Sequence, residues 1–270
     1  MSLKNFITYF IRWAGLASLA DHTRFHVKKI VNYSNNYRYK KTHPNVKLPP
    51  DHYLYETYTL KYQHYIDDGL QTAKEILVLV NKFSEANSAG NRVLDWGCGP
   101  ARVIRHFPLL AENKLIAFGT DYNSEYISWN NANINNVTFT TNQLDPPAGF
   151  EDEYFAVIYG LSILTHLSAQ KHITWIREMH RLLQPGGLLI LTVQGNAFKN
   201  KLTRAEQIKF ENGELVTRIQ NKEGSRTFSA YQPEVYMKKL LKDFEFVCLQ
   251  KGSESNTLHG SQDTWIVRKL

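Results

Sequence analysis

Cysteine is scarce. Cys98 and Cys248 are the two in 270 residues, so there is no disulfide framework and a reducing, cytoplasmic setting is the default expectation. No run of roughly 20 apolar residues is present to cross a membrane. The uninterrupted apolar core of a signal peptide is missing too, because Arg12 breaks residues 3–20, although Ser18-Leu19-Ala20 faintly resembles a cleavage site. Leu3, Phe6, Ile7, Phe10, Ala14 and Ala17 instead form a helical stripe. That stripe reads as an amphipathic helix packed on the body or a partner, or as a peripheral membrane contact. Acidic charge is thin at this end: residues 1–60 carry nine Lys/Arg against Asp21, Asp51 and Glu56, so they hold +6 of the net +7. The remaining 210 residues are nearly neutral.

What is present suits a globular chain. A hydrophobic content of 43% and an aromatic content of 13% fit a packed core, and the length fits one sizeable α/β domain with additions. The organising stretch is Arg92 to Arg102. Val93 and Leu94 end a short apolar strand and Asp95 closes it; Gly97 and Gly99 then form a turn that lets backbone approach a ligand. Val103, Ile104 and Phe107 have helical spacing, so the glycines lie between a strand and a helix. A dinucleotide loop needs G-x-G-x-x-G, but Arg102 stands where the third glycine belongs. As a tight strand-to-helix turn alone, the pattern would carry little.

Two further blocks give it weight. Asp121 ends a second strand, Lys114–Gly119, 26 residues beyond Asp95, where a carboxylate can accept from two adjacent ribose hydroxyls. Ser124 reads as the cap of the next helix. Later, Arg181-Leu182-Leu183-Gln184-Pro185-Gly186-Gly187-Leu188-Leu189 ends a helix at its glycines and opens an apolar strand, Leu188–Val193. Taken together, D-x-G-x-G-x-A from Asp95 to Ala101, Asp121 and the Pro-Gly-Gly junction resemble class I S-adenosylmethionine (SAM)-dependent methyltransferases, over about residues 70–195.

The resemblance implies an α/β, Rossmann-like fold with a seven-stranded, mostly parallel sheet in the order 3-2-1-4-5-7-6 and helices on both faces. It implies SAM as cofactor, held by Asp95, Gly97, Cys98, Gly99, Arg102, Asp121 and Tyr122, with Tyr159 and Gly160 at the tip of the fourth strand. Leu144 would pack on adenine, and Asp145 would accept from its amine or else belong to an ordinary Asp-Pro-Pro turn. Ala156 stands where family members usually carry an Asp. Residues 1–69 are expected to form a basic, tyrosine-rich extension with Tyr62 and Tyr65 as lid residues, followed by a catalytic domain over 70–270. A helix near 70–83 opens that domain, and an insertion at about 196–231 would cover the substrate. The loop His259–Asp263 is polar, but its function is not readable.

His166, near the fourth strand's tip, can exchange a proton near neutral pH and is the candidate general base; the competing reading is a histidine that fixes its loop. No metal is expected. Gly160-Leu161-Ser162 replaces the Asn/Asp-Pro-Pro-aromatic motif of enzymes that methylate exocyclic amines of nucleic-acid bases, and neither cysteine sits where a cytosine C5 enzyme needs its nucleophile. A hydroxyl or amine of a small molecule or glycan is therefore the expected acceptor. Two alternatives stand beside it: an RNA- or protein-directed methyltransferase that grips an acidic partner with the basic arm, and a non-catalytic SAM-binding protein.

Overall fold

The computed structural model describes residues 17–84, 91–112, 114–218, 222–254, 258 and 260–270. Most of the stripe expected over residues 3–20, and His259 of the polar loop, lie outside the described residues. The chain divides into two units between Asp67 and Asp68.

In the first unit, helix α1 (Ala17–Thr42) is followed by α2 (Asp51–Thr57). Tyr39, Leu54, Leu60, Tyr62 and Tyr65 form its core. Asn36 ties the corner by donating to the Leu60 carbonyl and accepting from the Tyr62 amide. Tyr62 donates its hydroxyl to Asp51 at 2.5 Å, and burial, followed by that carboxylate, pushes the phenol's pKa well up. Tyr62 and Tyr65 are 7% and 0% exposed, so the structure uses the two expected lid tyrosines as core residues. Tyr33 and Tyr37 of α1 are exposed and stacked on each other.

Helix α3 (Tyr62–Phe83) starts eight residues before the expected 70. Its Ala73, Ile76 and Val80 pack on one face of the sheet of the second unit, with Val93, Ala101, Tyr159 and Ile190. That sheet contains β1 (Arg92–Trp96), β2 (Ile116–Asp121), β3 (Val137–Thr141), β4 (Phe155–Leu161), β5 (Leu183–Val193), β8 (Phe244–Gln250) and β9 (Asp263–Lys269). Its order is β3-β2-β1-β4-β5-β9-β8, with β9 antiparallel to its neighbours. The separate hairpin β6 (Val216–Arg218) and β7 (Ser229–Tyr231) aside, this is the expected 3-2-1-4-5-7-6. Alternation along the strands sends Leu94, Trp96, Leu189 and Leu191 to the other face, against Trp175 and Met179 of α6 (Ala169–Leu182).

Several local expectations are corrected. The helix after the glycine loop is only a 3-10 turn (Ile104–His106) running into α4 (Phe107–Leu110). Asn123, not Ser124, caps α5 (Ser124–Asn133): its side chain accepts from the Glu125 amide. Helix α6 is capped by Ser168, whose side chain accepts from the Lys171 amide, and His172, Trp175, Ile176, Met179 and Leu182 form its buried stripe. Gln184-Pro185-Gly186-Gly187 is not a helix end but a bulge inside β5, since the pairing jumps from Phe155–Leu183 to Val157–Leu188. Gly187 is required there because a Cβ would come within 2.8 Å of the Gln184 carbonyl oxygen.

Candidate functional site

The strand register brings the predicted site together. Asp95 of β1 lies opposite Gly119 of β2 and Tyr159 of β4. Beyond it the chain turns through Gly97 (φ +73°) and Gly99 (φ +52°), conformations that glycine adopts without strain. The amides of Gly97 and Cys98 both donate to the Thr120 carbonyl. A Cβ on Gly97 would meet Ile163 at 2.2 Å. Ala101 adopts φ +60°, a left-handed conformation that glycine would hold with less strain.

The residues around the loop hold it rather than decorate it. Asp121 accepts from the Gly99 amide at 2.9 Å and from the Asn123 amide at 2.8 Å. Asn130 of α5 donates to the Gly99 carbonyl at 2.9 Å. Cys98 is buried beneath the loop, and burial pushes its thiol well up, which suits packing rather than reactivity. From the other side α3 crosses at Gly69, where a Cβ would lie 2.2 Å from the Arg102 carbonyl oxygen. Asn130 and Gly69 escaped the sequence reading because only tertiary packing gives them their roles.

Two carboxylates are buried at this point. Burial pushes Asp95 up to about 7, and the Asp121 charge adds to the rise. The Tyr159 hydroxyl, the Arg102 guanidinium and the Ile104 backbone pull the other way. Burial also raises Asp121, to about 6, against the pull of backbone N–H groups. A ligand bringing an ammonium group and vicinal hydroxyls would restore what burial removes from these carboxylates. SAM brings both.

Of the other expected cofactor residues, Tyr159 is fully buried, stacks on Phe107 and turns its hydroxyl to Asp95. Gly160 makes room for Trp96, whose ring would be 2.8 Å from a Cβ there. Asp145 does not sit waiting for a base: its exposed carboxylate pairs with Lys171. Tyr122 and Leu144 meet instead at Gly224, which belongs to the expected cover.

The segment expected to cover the substrate has a small core of its own, Leu202, Phe210, Val216 and Tyr231, with a capping box on α7 (Arg204–Glu211). It is fastened across the strand tips. Gly224 donates its amide to the His166 carbonyl at 2.9 Å, and Tyr122 donates its hydroxyl to the Gly224 carbonyl at 3.2 Å. His166 Nδ1 lies 3.0 Å from the Phe228 carbonyl oxygen, and its ring also bonds the Ser225 backbone. Burial lowers the His166 pKa, so the ring is neutral at neutral pH. Beneath it, His172 is wholly buried; Nε2 donates to the Leu164 carbonyl at 2.6 Å and Nδ1 accepts from Tyr236. No group of three or more potential metal ligands occurs among the described residues. None of the described helices is long and apolar enough to cross a membrane.

Comparison with known proteins bears on the family and the fold. The methyltransferase-domain family matches residues 62–251. "Probable tRNA methyltransferase 9B" of Bos taurus is 28% identical over 123 residues, 45% of this chain, and the chain spans about a quarter of that relative's length. Among solved structures, a SAM-dependent methyltransferase from Methanosarcina mazei superposes with a TM-score of 0.52 at 21% identity, covering 71% of this chain and 97% of its own. Magnesium protoporphyrin IX methyltransferase from Synechocystis PCC 6803, solved with bound S-adenosylhomocysteine (SAH), gives 0.51 at 17% identity, covering 92% of this chain and all of its own. These likenesses show the fold. With the family match spanning most of its length, the chain belongs to the methyltransferase-domain family.

Proposed function

We propose that this protein transfers a methyl group from SAM to a hydroxyl or amine of a small-molecule or glycan acceptor. The observation that carries this is the fastened cover: Gly224 is bonded to both His166 and Tyr122, so the strand tips are roofed by the chain's own insertion. A roofed site favours an acceptor small enough to be enclosed and excludes water from it.

When bound, SAM supplies a methyl group already activated on a sulfonium. The protein's own contribution is alignment, which supplies on the order of 7–11 kcal/mol of such a barrier. Asp121 and Asp95 would take the ligand's hydroxyls and ammonium group, and Gly97 and Gly99 would allow close backbone approach. Tyr122 and Leu144, joined at Gly224, would flank the adenine. His166, with its ring bonded to the Phe228 and Ser225 backbone, serves as a positioning residue that keeps the cover closed, in place of the general base first expected.

A second reading has support of its own. Helix α1 exposes Tyr33 and Tyr37 beside Lys28, Lys29, Arg38 and Lys41. Aromatic and basic groups interleaved in this way can stack bases and hold phosphates. The bovine relative is named as a tRNA methyltransferase, which gives an RNA acceptor a place in the test. Radiolabelled SAM incubated with the protein and with dialysable, RNA and protein fractions of a cell extract separates the readings. Label in the dialysable fraction supports the proposal; label in RNA alone overturns it.

A further inference from the structure

Beyond the cofactor side, the tips of β4 and β5 carry a set of buried polar side chains that the SAM site does not use. Ser162 follows β4 and donates its amide to Thr192 Oγ1 of β5 at 2.8 Å. Thr192 pairs across the ladder with Thr264 of β9, and Gln262 lies two residues before Thr264. Thr192 and Thr264 alternate in step with Ile190 and Ile266, so they share the sheet face that holds Tyr159 and Ala101.

The hydrogen bonds fix which atom of Gln262 is left over. Thr165 donates its hydroxyl to the Ser162 carbonyl. Ser162 Oγ must then donate to Thr165 Oγ1 at 2.8 Å, and it accepts from Gln262 Nε2 at 2.8 Å. The chain of donors ends on a backbone carbonyl, so the amide is oriented with Oε1 away from Ser162. Gln262 is 6% exposed, and Oε1 has no donor among the described residues. Thr264 is 0% exposed and its hydroxyl is also unpaired. Buried groups of this kind are normally satisfied, and a ligand is one means of satisfying them.

The strand start is held firmly. Between the two, Asp263 turns the other way: Oδ1 accepts from the Gly252 amide at 2.7 Å, and the carboxylate fills the space a Cβ on Gly195 would need. Ser162 itself adopts φ +66°, a strained conformation for a residue with a side chain.

We infer that Gln262, together with Thr264, reads the methyl acceptor, using the Gln262 carbonyl oxygen to accept a hydrogen bond from a neutral hydroxyl or N–H group. An amide oxygen repels phosphate and carboxylate, so the chemistry selected is an uncharged donor. This rests on the small-acceptor reading above and names the residue that would select within it. Gln262 is a specificity residue here, with no proton to move.

The test compares wild type with Gln262→Met and Gln262→Glu, using radiolabelled SAM and the dialysable extract fraction as the acceptor probe, with SAH calorimetry and thermal melting alongside. For Gln262→Met we expect SAH affinity within about twofold of wild type, a melting temperature close to wild type, and an apparent KM for the dialysable acceptor raised about tenfold or more. Gln262→Glu retains an acceptor oxygen and is expected to recover part of that loss. An unchanged KM in Gln262→Met overturns the inference while leaving the small-acceptor reading intact. Equal losses of SAH affinity, melting temperature and turnover would make Gln262 a structural residue and also overturn it. Wild type that labels nothing dialysable removes both the small-acceptor reading and this inference.

Discussion

The Asp121 carboxylate, at the tip of β2, accepts a hydrogen bond from the Gly99 amide 2.9 Å away and so fixes the loop that leaves β1. One residue thus shapes the glycine loop and, in the proposed site, would offer the remaining lone pairs of its two oxygens to a ligand. Neither duty can be removed without disturbing the other.

Asp121→Asn leaves one acceptor oxygen where two are needed. A hydrogen bond to a charged group contributes about 1.5–3 kcal/mol, so SAH binding should weaken about 10- to 150-fold by calorimetry. Binding within twofold of wild type would remove Asp121 from the site.

Binding should also depend on pH in a stated direction. In the free protein Asp95 is raised to about 7 and Asp121 to about 6, both by burial first. The native state therefore holds protons that the unfolded chain has already released, and these groups make the free protein less stable as pH rises from about 4 to 7. A ligand that needs them ionised binds more tightly over the same rise and releases protons. SAH affinity should increase from pH 5.5 to pH 8, and calorimetry in buffers of different ionisation enthalpy at pH 6.5 should report proton release. Proton uptake would contradict the assignment.

Gly69→Ala is a test of packing with an inverted sign. In an ordinary helix interior the change stabilises by about 1 kcal/mol. Here the new Cβ would meet backbone, the Arg102 carbonyl oxygen, at 2.2 Å, so α3 or the loop must move. A loss of about 1–3 kcal/mol, read by denaturant unfolding, is expected together with weaker SAH binding. A gain in stability would show that the crossing is not as close as described.

His166→Ala should loosen the cover and spare the cofactor. Losing about 1–2 kcal/mol of local stability raises the open population about 5- to 30-fold, so proteolysis within residues 196–231 should accelerate accordingly while SAH affinity holds. Unchanged proteolysis, combined with a turnover that loses its dependence on pH, would restore the general-base role instead.

How much of this was legible in the sequence follows from how local each feature is. The first strand, the glycine turn and Asp121 at the end of the second strand are short-range patterns. The sheet order came with the family resemblance, which those short patterns were enough to establish. Features decided by distant neighbours were hidden. Pro185-Gly186-Gly187 has the composition of a helix stop, yet the partner strand makes it a bulge. Tyr62 and Tyr65 look like lid residues by position, yet their own unit's core takes them. Asp145 could serve a base until Lys171, 26 residues on, claims it. Asn123 outcompetes Ser124 as a cap by a single position, a difference that propensity does not resolve.

The claim on which the rest depends is that the tips of β1, β2 and β4 hold an adenosyl sulfonium. Titration of the full chain with SAH by calorimetry tests it most directly. One saturable site, lost in Asp121→Ala while the variant still melts cooperatively, is the predicted result. A cooperatively folded wild-type protein that gives no heat with SAH or SAM between pH 6 and 8 would contradict it.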